Sequence, residues 1–160
     1  MTTKPFSTDS LKLDYAQEAD KIAAAMREHV LRRFRKKGVV VALSGGIDSS
    51  TVVALSVRAL GPERVLGLLM PERDSASETL PLSQQLARHL GIETVYEDIT
   101  GILESVGCYR RRDEAIKLVV PQYGTGWKSK IVLPNVLDED QLRLFSIIVQ
   151  SPDGQRQEAR

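Results

Sequence analysis

The chain is 160 residues long, 42% hydrophobic and 27% charged, the profile of one soluble α/β-sized domain, which excludes a disordered or fibrous protein. Its 22 basic and 21 acidic side chains nearly cancel, so no overall field points to nucleic acid or a membrane surface, and any anion site must be local. The single cysteine, Cys108, excludes an intramolecular disulfide and a thiolate metal site. With no export signal in residues 1–10 and no apolar run of about 18 residues, the chain is predicted to be cytoplasmic and not membrane-bound.

Tyr15, Ala19, Ile22, Met26 and Val30 recur at intervals of four and three, which predicts an amphipathic helix from Leu11 to Arg35 capped by Asp9 or Ser10. Its basic end, Arg32-Arg33 and Arg35-Lys36-Lys37, suits a helix C-terminal dipole. The period then changes. Val39-Val40-Val41-Ala42-Leu43 is a β-branched run that predicts a strand buried on both faces of a parallel sheet. A glycine pair stops it, and from Ser49 a helical pattern runs to Gly61-Pro62. A second unit follows, with a strand over Val65 to Met70, a loop over Pro71 to Ala76, a helix over Glu78 to Leu90 and a third strand over Glu93 to Ile99. This alternation predicts an α/β fold, a doubly wound parallel sheet with flanking helices.

Beyond residue 100 the rhythm weakens. Short helices are predicted near Ile102 to Val106 and Asp113 to Val120, then a loop up to Trp127. Strands are predicted at Ile131 to Leu133 and Leu144 to Val149, and Ser151-Pro152-Asp153-Gly154 reads as a turn, so the chain ends as a β-hairpin begins its return. The division expected is one domain over 1–160, with an N-terminal helix in 1–37, a core in 38–100 and an insertion-like segment in 101–160.

The chemistry lies in the turn after the first strand. Ser44-Gly45-Gly46 lets the backbone pass close beneath an anion and delivers it to a helix N-terminus. Backbone N–H groups from Gly46 to Ser49 and the hydroxyls of Ser44, Ser49 and Ser50 can donate to phosphate oxygens, and the dipole adds about 0.3 to 1 kcal/mol per charge. A Walker loop needs a lysine that is absent here, and G-x-G-x-x-G does not occur at this turn. Asp48 instead puts a carboxylate among the donors, which is repulsive to phosphate unless a divalent cation, magnesium, bridges them. The competing reading is a tight turn capped by Asp48 or Ser49. Elsewhere, Cys108 reads as a partly buried structural thiol, and His29 and His89 as packing or surface residues. Arg110-Arg111-Arg112 reads as a solvated helix start or a phosphate grip. Arg73 and Ser75 read as a nucleotide contact or plain loop, and Trp127 as a core anchor or a stacking surface.

The run Ser44-Gly45-Gly46-Ile47-Asp48-Ser49-Ser50 after a buried strand resembles the pyrophosphate-binding loop of the N-type ATP pyrophosphatase (PP-loop) superfamily, whose fold is adenine nucleotide alpha hydrolase-like. With Val40 to Ser50 and Leu68-Leu69-Met70-Pro71 it resembles NAD synthetase in particular. The resemblance is best over Val39 to Ile99, and Cys108 to Arg112 and Trp127 to Pro134 resemble an insertion found in some bacterial members. It implies an ATP-pyrophosphate site of Ala42, Leu43, Ser44, Gly45, Gly46, Ile47, Asp48, Ser49 and Ser50, with Asp48 as magnesium ligand. It also implies an amide-forming ligase that adenylates the carboxylate of deamido-NAD with ATP and transfers ammonia, giving NAD, AMP and pyrophosphate. A GMP-synthetase-like or RNA-thiolating enzyme, or a non-catalytic ATP-binding fragment, is the alternative. Family chains run longer, so a truncated form is expected, with a homodimer, and with ammonia free or supplied by a separate glutamine amidotransferase.

Overall fold

A computed structural model describes residues 7–8, 12–133 and 145–159. The chain folds as two compact units, residues 1–100 and 101–160.

In the first unit, α1 (Tyr15–Arg27) is capped by Asp14, whose carboxylate accepts the Gln17 N–H at 3.1 Å. The helix therefore begins later than the periodicity predicts, and Asp9 and Ser10 lie outside the described residues. A π-helical turn (Glu28–Arg33) follows, closed by the bonds Phe34 N–H to His29 O and Lys36 N–H to Val30 O across Arg35 at φ 53°. β1 (Val39–Ala42), α2 (Ile47–Leu60), β2 (Val65–Leu69), α3 (Thr79–Leu90) and β3 (Glu93–Tyr96) then alternate as expected. Gly91, at φ 68°, ends α3 in the left-handed conformation that glycine adopts without strain.

The three strands form a parallel sheet in the order β1-β2-β3, with Val41 opposite Gly67 and Leu68 opposite Val95. Helices flank it, so the fold is α/β as predicted. One core joins Val41, Leu43, Val65 and Leu69 of the strand segments to Ala23 of α1, Val53, Ala59 and Leu60 of α2, and Ala87 of α3. All three helices thus cover the same face. Val40 points the other way and is 63% exposed, and Ala42 is exposed beside it. Among the described residues β1 is therefore buried on one face, not on both as expected. An unbroken apolar run does not say which face the described helices cover.

The second unit begins within α4 (Thr100–Ser105) and continues with α5 (Cys108–Lys117), β4 (Lys128–Val132), β5 (Ser146–Gln150) and β6 (Arg156–Ala159). α5 starts earlier than predicted, behind Gly107 at φ 69°. β4, β5 and β6 form an antiparallel sheet. The turn at Ser151 to Gly154 is present, with the Gly154 N–H donating to Ser151 O at 2.9 Å. The return strand β6 already pairs with β5, so the hairpin goes further than the sequence suggested. Leu144 and Pro134 lie outside the described residues. Ile116, Val120, Tyr123 and Val149 form this unit's core, with Trp127 packed on it edge-on to Tyr123 at 5.9 Å. Trp127 is therefore a core anchor. Among the described residues no helix is long and apolar enough to cross a membrane.

Candidate functional site

β1 ends at Ala42 because two glycines follow Leu43-Ser44, and α2 begins at Ile47 with Gly46 as its cap residue. Gly46 has no side chain, so no side-chain hydrogen bond caps the helix. The first amides of a helix have no acceptor within it, and here they face the loop with the dipole's positive end behind them. The alternative in which Asp48 or Ser49 caps the turn is not what forms. Both lie inside the first turn of α2.

Serine hydroxyls hold the loop's shape. The Ser44 N–H donates to Ser49 Oγ at 3.3 Å, the two hydroxyl oxygens lie 3.1 Å apart, and the Gly46 N–H reaches Ser44 Oγ at 3.4 Å. Ser49 and Ser50 hydroxyls both donate to Gly46 O, at 3.1 and 2.8 Å. The predicted donors are thus brought together, and several also bond to one another. Gly45 has φ 71°, and a Cβ there would stand 3.0 Å from Thr79 O and 3.1 Å from Leu82 Cβ. At this residue glycine is required by conformation and by the close approach of α3.

The remaining predicted residues sort differently. Leu43 is buried and its side chain joins the core, whereas Ile47 is 82% exposed. The Asp48 side chain is exposed on the first turn of α2, beside the serines. Among the described residues no three His, Cys, Asp or Glu side chains converge as a metal site. Asp48 is the carboxylate of this loop that could serve as one ligand to a magnesium ion, which is commonly held by one or two carboxylates with substrate phosphates and water.

Beside the loop, at the carboxyl ends of β1 and β2, lies a cleft of about 270 Å³. This is where open parallel sheets bind ligands. Ala42, Leu43 and Ser44 form one wall, Leu68 to Pro71 another, and Ser75, Thr79, Leu80 and Ser83 the third. The third wall was missed from sequence apart from Ser75, whose hydroxyl accepts the Glu72 N–H at 3.0 Å. Arg73, on the same loop, pairs with Asp74 at 3.3 Å.

In the second unit Arg110 pairs with Glu114 at 3.0 Å, and Arg112 pairs with Asp113 and lies over the Tyr109 ring. These contacts fit the solvated-helix reading. Cys108 is exposed, which corrects the partly buried thiol: the inward position on this turn belongs to Tyr109. His29 and His89 are both exposed.

A family model described as NAD synthase matches residues 18–120. The NH(3)-dependent NAD(+) synthetase of Rhizobium meliloti (strain 1021) is 50% identical over 155 residues, covering 97% of this chain and 46% of the relative. That of Mesorhizobium japonicum (strain LMG 29417) is 51% identical over 144 residues, covering 90% and 45%. The chain therefore spans about half the length of the curated relatives it matches. The solved NH3-dependent NAD synthetase from Campylobacter jejuni, in complex with the nitrate ion, superposes with a TM-score of 0.56 at 33% identity, over 61% of this chain and 42% of that one. The glutamine-dependent NAD+ synthetase from Acinetobacter baumannii, in complex with adenosine diphosphate, gives a TM-score of 0.57 at 26% identity, over 70% and 20%.

Proposed function

We propose, from the premise that this chain belongs to the NAD synthase family, that residues 42–50 hold the pyrophosphate of ATP in an amide-forming ligase. The carboxylate of deamido-NAD attacks the α-phosphate, pyrophosphate leaves, and ammonia displaces AMP from the acyl-adenylate to give NAD. Residues 38–100 are the nucleotide-binding core of an ATP-pyrophosphatase-type domain, the N-terminal segment 1–37 supports it through α1, and residues 101–160 are an insertion-like segment.

The observation that carries this reading is the uncapped start of α2, gathered with the Ser44, Ser49 and Ser50 hydroxyls around Gly46. Phosphoryl transfer of this kind needs positioning and charge stabilisation more than a protein nucleophile. The amides of the α2 N-terminus receive the negative charge that grows on the leaving pyrophosphate. The hydroxyls can turn from one another to phosphate oxygens. Asp48 would hold magnesium, which would supply neutralising charge on the polyphosphate. Losing one well-placed donor of this kind typically costs about 2.7 to 4 kcal/mol of transition-state stabilisation. The neighbouring cleft, with its Leu68 to Pro71 wall, receives the adenine.

On this reading the protein is a cytoplasmic homodimer. Its nitrogen comes as free ammonia or through a separate glutamine amidotransferase. The test is release of AMP and pyrophosphate by the longest expressible form, with ATP, magnesium, deamido-NAD and ammonia. AMP that depends on deamido-NAD supports the reading. ATP binding without any turnover would support a non-catalytic nucleotide-binding role instead.

A further inference from the structure

Two serines in the first unit are almost wholly buried, Ser56 on α2 and Ser83 on α3, at 1% and 0% exposure. Each hides its hydroxyl in the way helices allow, by donating to the carbonyl one turn back: Ser56 to Val52 O and Ser83 to Thr79 O, both at 2.8 Å. Ser83 does something more. Its Oγ also lies 3.3 Å from the carbonyl oxygen of Leu43, forty residues away in the chain, so its one proton is shared between two acceptors.

That second acceptor belongs to the peptide that leads into the glycine turn. The N–H on the other side of the same peptide is Ser44's, and it donates to Ser49 Oγ at 3.3 Å. Just upstream, the Leu43 N–H continues the sheet by donating to Leu68 O at 2.9 Å. The Leu43–Ser44 peptide is thus gripped by α3 through its carbonyl and by α2 through its amide. Thr79 O, the other acceptor of Ser83, is the atom 3.0 Å from the missing Cβ of Gly45. One buried hydroxyl therefore joins the carbonyl that enters the loop to the carbonyl on which the loop rests.

We propose that Ser83 is a positioning residue for the loop: it fixes the Leu43–Ser44 peptide so that the amides and hydroxyls of Ser44 to Ser50 are already arranged when the nucleotide arrives. This rests on the ATP-binding reading above. Ser83 stands in the cleft wall but is 0% exposed, so it acts through the loop it fixes: a preset loop spends no binding energy on ordering itself, and loosening it lowers affinity.

The test is calorimetric titration of the full chain with ATP and magnesium, in the wild type, Ser83→Ala and Ser56→Ala. Ser83→Ala should bind ATP about fivefold more weakly, the worth of one net hydrogen bond, and the Ser44 amide should exchange with solvent faster. Ser56→Ala loses a matching hydroxyl and helical bond, yet should bind ATP as the wild type does. Ser83→Cys, which keeps a weak donor, should fall between wild type and Ser83→Ala, and it is read in place of Ser83→Ala if that variant does not fold. Wild-type affinity in Ser83→Ala, or an equal loss in Ser56→Ala, overturns the proposal while leaving the ATP site intact. A wild type that takes up no ATP overturns the ATP reading and this one with it.

Discussion

The carbonyl oxygen of Thr79, on the first turn of α3, lies 3.0 Å from the point where a Cβ on Gly45 would stand. The glycine turn is thus fitted to a neighbouring helix as well as to its own strand and helix. Gly45→Ala must bear a left-handed backbone, which costs about 1 to 2 kcal/mol for a residue with a Cβ, and also push against Thr79 and Leu82. Urea unfolding should show a loss of at least that size. Gly46→Ala, at φ −82° with its nearest neighbour Ser44 Oγ at 3.4 Å, should lose less. Equal losses at the two glycines would contradict the geometry.

Asp14 is the cap of α1, so Asp14→Ala should cost about 0.5 to 2 kcal/mol. α1 contributes Ala23 to the main core, and its Arg27 Nε donates to Ala59 O at 2.8 Å, so the loss should appear in the thermal midpoint of the whole first unit. Asp14→Asn, which keeps a capping oxygen, should recover most of it.

Leu69, 2% exposed at the end of β2, joins the sheet to the helices behind it. Leu69→Ala should destabilise by about 2 to 5 kcal/mol, the range for opening a cavity in a packed core. Chemical denaturation checks this, and a change below 1 kcal/mol would show that the site collapses freely.

Among the described residues, three exposed carboxyl groups are held below their ordinary range. The Thr100 hydroxyl and N–H lower Asp98, with the N–H at 2.8 Å from Oδ1. The Ser151 hydroxyl lowers Asp153, and a bond to its own backbone N–H, then Ser77, lowers Glu78. A carboxyl lowered in the folded state contributes stability that is complete above its unfolded pKa and is lost as pH falls through the folded value. Stability should therefore decline on the acid side, and Asp98→Asn should flatten that part of the curve. NMR titration should place the three midpoints below those of the same groups in the unfolded chain.

Much of this was legible because local chemistry and tertiary structure agree. The β-branched run of Val39 to Val41, the glycine pair and the helical period after it gave strand, turn and helix in the right order. The residues gathered at the loop are those singled out from the motif. What was not legible depends on contacts between distant segments. Gly45 needs glycine partly because α3 lies against it, and no local pattern names that helix. Ser83 reads as an ordinary polar position until its carbonyl partner, forty residues back, is known. The start of α1 was misplaced because Asp9, Ser10 and Asp14 all carry capping chemistry. The start of α5 was misplaced because its charged first turn has no apolar period, and it is set by Gly107 in the left-handed region.

On the function proposed above, a lysine-free glycine turn with Asp48 in its first helical turn holds ATP through amides, hydroxyls and a magnesium ion. Isothermal titration calorimetry with ATP, with and without magnesium, on the wild type and Asp48→Ala tests it most directly. Magnesium-dependent binding is expected in the wild type, falling at least tenfold, about 1.4 kcal/mol, in Asp48→Ala, with at most about 1 kcal/mol lost in stability. Binding that is indifferent to magnesium, or equal in the two proteins, would contradict it.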